Sequence, residues 1–183
     1  MRIIAGKFRS RQVRSLPGAD LRPTSDRLRE TLFDVVAAAR EIEGTTWLDL
    51  FAGTGAVGIE ALSRGARMVY FAESAHKLAG LIQKNLRGLK IESGFQVLQQ
   101  DAASAIARIP EAIDICFLDP PYKMEDQYAK VLNALAKASF LRENSLAIAE
   151  HSKHFDPGDA YGKLRRSRKL VQGDAVLSFY TIY

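Results

Sequence analysis

Four consecutive residues, Asp119-Pro120-Pro121-Tyr122, carry the means to hold a planar amino group for reaction. Each proline fixes φ and removes a backbone donor. The turn is therefore stiff, and it presents the Asp119 carboxylate and nearby carbonyls as oriented acceptors. An exocyclic amino group needs this help, because its lone pair is delocalised into the ring and attacks poorly. Two acceptors on its hydrogens could aim the nitrogen at an electrophilic carbon, in line with the departing group. Tyr122 offers a face on which a base can stack. Positioning supplies much of the rate in such a transfer, and Asp119 could accept the proton that the nitrogen sheds. A rigid structural turn would use the same residues, so the rest of the chain has to decide between the two.

Upstream, Gly53-Thr54-Gly55-Ala56-Val57-Gly58 has G-x-G-x-x-G spacing between an apolar run and a helical stretch. Glycines there let a ligand approach the backbone at a helix N-terminus. Glu73 follows 20 positions after Gly53, where a carboxylate can accept bonds from ribose hydroxyls. The pattern suits both dinucleotides and S-adenosylmethionine. Asp49, in Leu48-Asp49-Leu50-Phe51-Ala52-Gly53, tilts the choice. A carboxylate beside the loop repels a pyrophosphate and favours a ligand carrying an ammonium and a sulfonium. Asp101 adds a further acid. It could accept a bond from an adenine amino group, or it could cap the helix that starts at Ala102.

These residues must be positioned by a sheet. Short apolar runs at residues 46–51, 68–73, 95–99, 113–118 and 145–150 alternate with helical patterns at 55–64, 76–89, 102–109 and 126–138. Such βα alternation predicts a parallel sheet covered on both faces. Asp49, Glu73, Asp101 and Asp119 then all fall near the carboxyl ends of strands, where ligands bind in such folds. Residues 175–183 read as a strand that could pair with 163–170, which brings the expected total to seven. Thr24 or Ser25 caps a helix over 26–39. Residues 2–14 read as a small basic hairpin or arm. Residues 151–162 read as loop, with His151 and His154 taken as solvated side chains and not as a catalytic or metal pair. No metal site is expected.

Composition narrows the class. The chain has 183 residues, 47% hydrophobic and 26% charged, which suits one soluble domain. We expect a basic arm over 1–21 and a catalytic core over 22–183. No apolar run approaches the roughly 20 residues of a membrane helix, and the first seven residues lack a signal-peptide core. The single cysteine, Cys116, lies in an apolar run and reads as a small core residue. These points favour the cytoplasm, without membrane attachment. The net charge is +5, and residues 1–29 alone, with eight basic and two acidic side chains, carry +6. A second basic cluster comprises Lys163, Arg165, Arg166, Arg168 and Lys169. Localised positive charge is the footprint of a phosphate-backbone partner.

The chain resembles the class I S-adenosylmethionine methyltransferases that act on amino groups, whose signature is (Asn/Asp)-Pro-Pro-(Tyr/Phe/Trp). More narrowly, it resembles the RsmD family, bacterial guanine-N2 methyltransferases of small-subunit (16S) ribosomal RNA. The resemblance rests on Met1-Arg2-Ile3-Ile4-Ala5-Gly6, on the run from Arg22 to Phe33, on Leu48 to Gly55 and on Leu118 to Tyr122. It implies a Rossmann-like α/β fold: a seven-stranded, mostly parallel sheet with helices on both faces and a basic N-terminal hairpin. It implies S-adenosyl-L-methionine as cofactor, held by Asp49, Phe51, Gly53, Gly55, Glu73, Asp101 and Ala102. Asp119, Pro120, Pro121 and Tyr122 would hold the guanine amino group. Arg2, Lys7, Arg9, Arg11, Arg14, Arg22 and Arg27 would meet RNA, and the segment from Arg22 to Thr31 would help close the cofactor site. The partner implied is ribosomal RNA in an assembled or assembling small subunit, bound by a monomer. Rival readings are adenine-N6 methylation of DNA, methylation of a protein glutamine, a dinucleotide oxidoreductase, and an assembly factor without turnover.

Overall fold

The structure, a computed structural model, describes residues 1–15 and 25–183. Its elements run α1 (Asp26–Ala39), β1 (Thr46–Leu50), α2 (Ala56–Ser63), β2 (Met68–Ala72), α3 (His76–Gly88), β3 (Phe95–Leu98), α4 (Ala102–Ile106) and β4 (Ile113–Leu118). They continue with α5 (Asp126–Lys137), β5 (Leu141–Ser152), β6 (Ala160–Tyr161), β7 (Leu164–Gln172) and β8 (Ala175–Ile182). The strands form one sheet in the order β3-β2-β1-β4-β5-β8-β7-β6. β3, β2, β1, β4 and β5 pair in parallel, while β8, β7 and β6 add antiparallel pairings.

The alternation of side chains along each strand sorts the core into two layers. Trp47, Val69, Phe71, Ile115 and Phe117 face α1, α2 and α3, where they pack with Phe33, Val36, Ile59, Ile82 and Leu86. Leu48, Leu50, Tyr70, Cys116 and Leu118 face the other way, against Ala105 of α4 and Val131, Leu132 and Leu135 of α5. Helices therefore cover both faces, as the apolar runs predict. Cys116 is buried in the second layer. Gly58 of α2 permits close packing, since a Cβ there would lie 2.3 Å from the Phe71 ring.

Several boundaries differ from the sequence pattern. The sheet has eight strands where seven are expected; the extra one, the two-residue β6, sits within the predicted loop over 151–162 and pairs with β7. β5 extends past both ends of the predicted run over 145–150, because Arg142, Glu143 and Asn144 are exposed and polar and hide its beginning. His151 is in this strand, fully buried, and is not a solvated loop residue. Its Nε2 lies 2.9 Å from Ser178 Oγ and its Nδ1 2.9 Å from the Ser152 carbonyl, and burial lowers its pKa. Ser25 caps α1 by accepting the Leu28 N–H at 3.1 Å, while Thr24 lies outside the described residues.

The N-terminal segment folds back on itself as the small hairpin expected, with Ile3 N–H donating to the Arg11 carbonyl at 2.9 Å and Val13 N–H to the Met1 carbonyl at 3.0 Å, and it is docked, not a free arm. Its limbs meet at the antiparallel bridge of Arg2 to Gln12, and it sits on the first layer through the buried side chains of Ile3 and Val13. Glu60 of α2, fully buried, accepts the N–H groups of Ile4 at 2.8 Å and Ala5 at 3.0 Å. Gly6 crosses α2 so closely that a Cβ would meet the Ser63 carbonyl oxygen at 1.8 Å.

Candidate active site at the carboxyl edge of the sheet

The chain runs outward from β1 to β2 and β3, then returns to place β4 on the other side of β1. The reversal between β1 and β4 is the switch point where open α/β sheets bind ligands. A cleft of about 200 Å³ opens at this edge. Of the residues expected to hold a cofactor, Phe51, Glu73, Asp101 and Ala102 line it.

Glu73 follows β2, and its carboxylate is fixed by two backbone donors. Oε2 accepts the Gly53 N–H at 2.9 Å and Oε1 accepts the Ala75 N–H at 2.8 Å. An ionised carboxylate has about four acceptor positions, so two remain for a pair of ligand hydroxyls. The glycine loop is thereby tied to the end of β2. Gly53 and Gly55 adopt φ of +55° and +79°, a region that side chains with a Cβ rarely enter. Both glycines adjoin the cleft without forming its wall.

Asp49 stands further back. Strand alternation turns it to the Trp47 side of β1, toward α2, where its Oδ2 accepts the Gly58 N–H at 3.0 Å. Burial pushes its carboxyl up to about 7, the Gly58 bond opposes this, and the Glu73 charge adds to it. Asp49 thus ties β1 to α2 behind the site. Asp101 closes the N-terminus of α4. Its Oδ1 accepts the N–H groups of Ala103 and Ser104, each at 3.1 Å, and its Oδ2 accepts the Ser104 hydroxyl at 2.6 Å. The Ser104 hydroxyl and backbone bonds hold its carboxyl below the ordinary range. Asp101 makes the helix cap that is one of its two expected roles, and its Oδ2 accepts a single bond.

Asp119 to Tyr122 follow β4 and lie outside the wall of this cleft. Asp119 and Tyr122 are half-buried, Pro120 is buried and Pro121 is exposed. The turn reaches the cleft through Met124, whose N–H donates to the Pro121 carbonyl at 2.7 Å and whose side chain lines the opening. Behind the turn, Tyr128 of α5 donates to the Glu150 carbonyl at 2.8 Å. Its phenol is raised well above its usual range, first by burial, then by Asp119 and Tyr122.

Six further residues line the cleft that the sequence reading does not single out: Ala72, Ser74, Gln100, Met124, Gln127 and Lys130. Ser74 and Gln100 could have been found, as each neighbours a predicted acid. Met124, Gln127 and Lys130 give no local signal, because the path from the β4 turn into α5 brings them over the opening.

The donor set fits S-adenosylmethionine better than a dinucleotide. Two acids, Asp49 and Glu73, interact electrostatically beside the glycine loop. Among the described residues the one cation in the cleft wall is Lys130, near Asp101. No basic side chain of the described wall flanks the glycine loop, where a pyrophosphate would sit. A cationic amino-acid ligand with a ribose matches this charge and the paired acceptors of Glu73.

The candidate RNA contacts lie on the surface, with Arg2 Nε 3.7 Å from Asp26. Arg2, Lys7, Arg9, Arg11, Arg14 and Arg27 are exposed, while Arg22 lies outside the described residues. The second basic cluster is largely spent inside the fold. Arg166 pairs with Asp156 and Asp159, Lys169 with Asp156, and Lys163 donates to the carbonyls of Ala138 and Leu141. That leaves Arg165 and Arg168 as its exposed members without a carboxylate partner among the described residues. No helix of the described residues is long and apolar enough to cross a membrane.

A family model described as "Conserved hypothetical protein 95" matches residues 1–181. The protein named Ribosomal RNA small subunit methyltransferase D of Haemophilus influenzae is 36% identical over 156 residues, spanning 84% of this chain and 79% of that protein. The chain belongs to the RsmD family. Another relative, YlbH of Bacillus subtilis, is 32% identical over 183 residues, 98% of each chain. Among solved structures, yhhF of Escherichia coli matches this RsmD-family chain with a TM-score of 0.86 and 29% identity, covering 100% of this chain and 97% of that one. The Rossmann-like methyltransferase fold expected from the sequence is therefore present.

Proposed function

We propose that this chain transfers a methyl group from S-adenosylmethionine to the N2 amino group of a guanine in small-subunit ribosomal RNA. The observation that carries the reading is the pairing of two features across the switch point. Glu73, clamped to Gly53, presents open acceptors after β2, and the Asp119-Pro120-Pro121-Tyr122 turn follows β4 at the same edge. The family and the name of the Haemophilus relative support ribosomal RNA as substrate. Guanine N2, as against another amino group, rests on the resemblance alone.

In this reading Glu73 holds the ribose hydroxyls, Gly53 and Gly55 let the cofactor approach the loop, Phe51, Asp101 and Ala102 bound the adenine end, and Asp49 supplies negative potential once it gives up the proton that burial holds up to about 7. S-adenosylmethionine, when bound, supplies an electrophilic methyl carbon on a positively charged sulfur. Asp119 and the adjacent carbonyls orient the two amino hydrogens, and Tyr122 stacks on the extruded base. Extruding a base costs a few kcal/mol, offset by stacking and by phosphate contacts of Arg2, Lys7, Arg9, Arg11, Arg14 and Arg27. As the nitrogen–carbon bond forms, the carbon–sulfur bond breaks, and Asp119 takes the proton that leaves the nitrogen. A single domain over 1–183, acting as a cytoplasmic monomer on an assembled or assembling small subunit, completes the proposal.

The test uses methyl-labelled S-adenosylmethionine and small subunits from cells lacking the enzyme. Label in the RNA is expected. Label confined to protein, or no transfer, would overturn the reading.

A further inference from the structure

The outer side of α3 carries one kind of charge. α1, α2 and α5 each include an acidic residue, whereas α3, from His76 to Gly88, has none. Lys77, Gly80, Lys84 and Arg87 recur at three- and four-residue spacing, so they form one row along the helix, about 15 Å long. The row lies opposite the buried stripe of Ala79, Ile82 and Leu86. Its three basic residues are exposed, and none has a carboxylate partner among the described residues. Asn85, next to Lys84, holds both backbone polar groups of Arg14, so the row adjoins the basic N-terminal segment.

Gly80 stands within the row, one turn from each lysine. A glycine inside a helix is destabilising relative to alanine, and this one does not hold a positive φ. A Cβ added at Gly80 would meet nothing within 4 Å beyond the helix's own backbone. Packing within the chain therefore gives no reason for the glycine. A bare patch of helix between two lysines lets a backbone from outside approach closely.

We infer that this row is a docking surface for the sugar–phosphate backbone of the substrate RNA. Lys77, Lys84 and Arg87 meet phosphates, and Gly80 lets the strand lie against the helix. This rests on the RNA reading above and carries the RNA contacts from the N-terminal segment onto α3. Three unpaired cations without an acid complement a polyanion, and their continuity with Arg14 favours the RNA backbone over an acidic protein surface.

Two measurements on the full chain test this: binding to deproteinised small-subunit RNA over a range of salt, and the KM for small subunits from cells lacking the enzyme. Gly80→Gln adds bulk, keeps the charge and favours the helix. It should melt no lower than the parent, yet raise the RNA Kd and the KM about tenfold. The double variant Lys77→Gln, Lys84→Gln should flatten the slope of log Kd against log salt by roughly 1–2. Lys137→Gln, which removes an exposed lysine from α5 in the other layer, should leave that slope at the parent value. An unchanged Kd in Gly80→Gln would overturn the inference, as would a slope flattened as much by Lys137→Gln as by the double variant. A Tm of Gly80→Gln well below the parent's would also overturn it, because the fold would then account for the glycine. Losses with whole subunits but not with the RNA would overturn it in favour of a protein contact. Failure of the parent chain to methylate small subunits would instead overturn the proposed function, and the inference with it.

Discussion

The side-chain amide of Asn85 takes both backbone polar groups of Arg14: its Oδ1 accepts the Arg14 N–H at 3.0 Å and its Nδ2 donates to the Arg14 carbonyl at 3.1 Å. The same Nδ2 donates to the Thr54 carbonyl at 3.0 Å, within the glycine loop. One buried side chain on α3 thus fastens the basic N-terminal segment beside the loop proposed to meet the cofactor.

Asn85→Ala should release that fastening. Loss of these bonds costs about 1–3 kcal/mol, felt first as local opening of the segment. Limited trypsin digestion should cut at Arg9, Arg11 or Arg14 about tenfold faster than in the parent chain. An unchanged cleavage rate would show that the segment is held by other contacts.

Glu60 makes a second and deeper attachment. It is fully buried, with Arg29 Nε 3.7 Å from one oxygen and Arg64 Nε 2.8 Å from the other, besides the N–H groups of Ile4 and Ala5. Arg29 is only 1% exposed and also donates to the Arg2 carbonyl and to Asp26. Glu60→Leu leaves the buried Arg29 guanidinium with Asp26 alone, takes the carboxylate partner from Arg64, and should cost about 3–5 kcal/mol in urea unfolding. The double variant Arg29→Met, Glu60→Leu should recover part of this, since a buried ion pair is often replaceable by apolar groups. Its recovery stays incomplete because the Ile4 and Ala5 donors remain unmatched. Full recovery would mean that the segment does not depend on Glu60.

These attachments mark what the sequence hides. The strands of the parallel half and the helices between them are legible because each carries its own period, and the glycine loop and Asp119 turn are contiguous motifs. Glu60 looks like an ordinary helix surface residue, and its partners lie 55 and 56 positions away. Arg29 counts as free positive charge in the sequence, yet it is buried and paired. The side of β1 on which Asp49 falls follows from strand alternation once Trp47 is placed in the first layer. The reach of Met124, Gln127 and Lys130 over the cleft depends on how α5 docks, which no local pattern encodes.

Asp49 gives a pH signature. Its ordinary carboxylate value is 3.8, and in the fold it holds its proton up to about 7. Between those values the folded state binds the additional proton, so this residue's contribution to stability falls as pH rises through the window. Asp49→Asn keeps an acceptor for the Gly58 N–H and carries no charge. Its Tm should exceed that of the parent by roughly 5–10 °C at pH 7 and by less than about 2 °C at pH 4. A gap that does not change between pH 4 and pH 7 would contradict the assignment.

Asp119 is proposed to act on the substrate amino group, and the cofactor cleft is walled by other residues. Asp119→Ala should therefore lower turnover by about 10²–10⁴-fold while leaving calorimetric binding of S-adenosylhomocysteine unchanged. Loss of that binding would place Asp119 in the cofactor pocket instead.

The most direct measurement of the central claim is the identity of the methylated nucleoside. Small subunits from cells lacking the enzyme, treated with the purified chain and labelled cofactor, would be stripped to RNA and digested to nucleosides. All label should run as N2-methylguanosine from one position of the small-subunit RNA. Label in N6-methyladenosine, or in any nucleoside other than N2-methylguanosine, would contradict it.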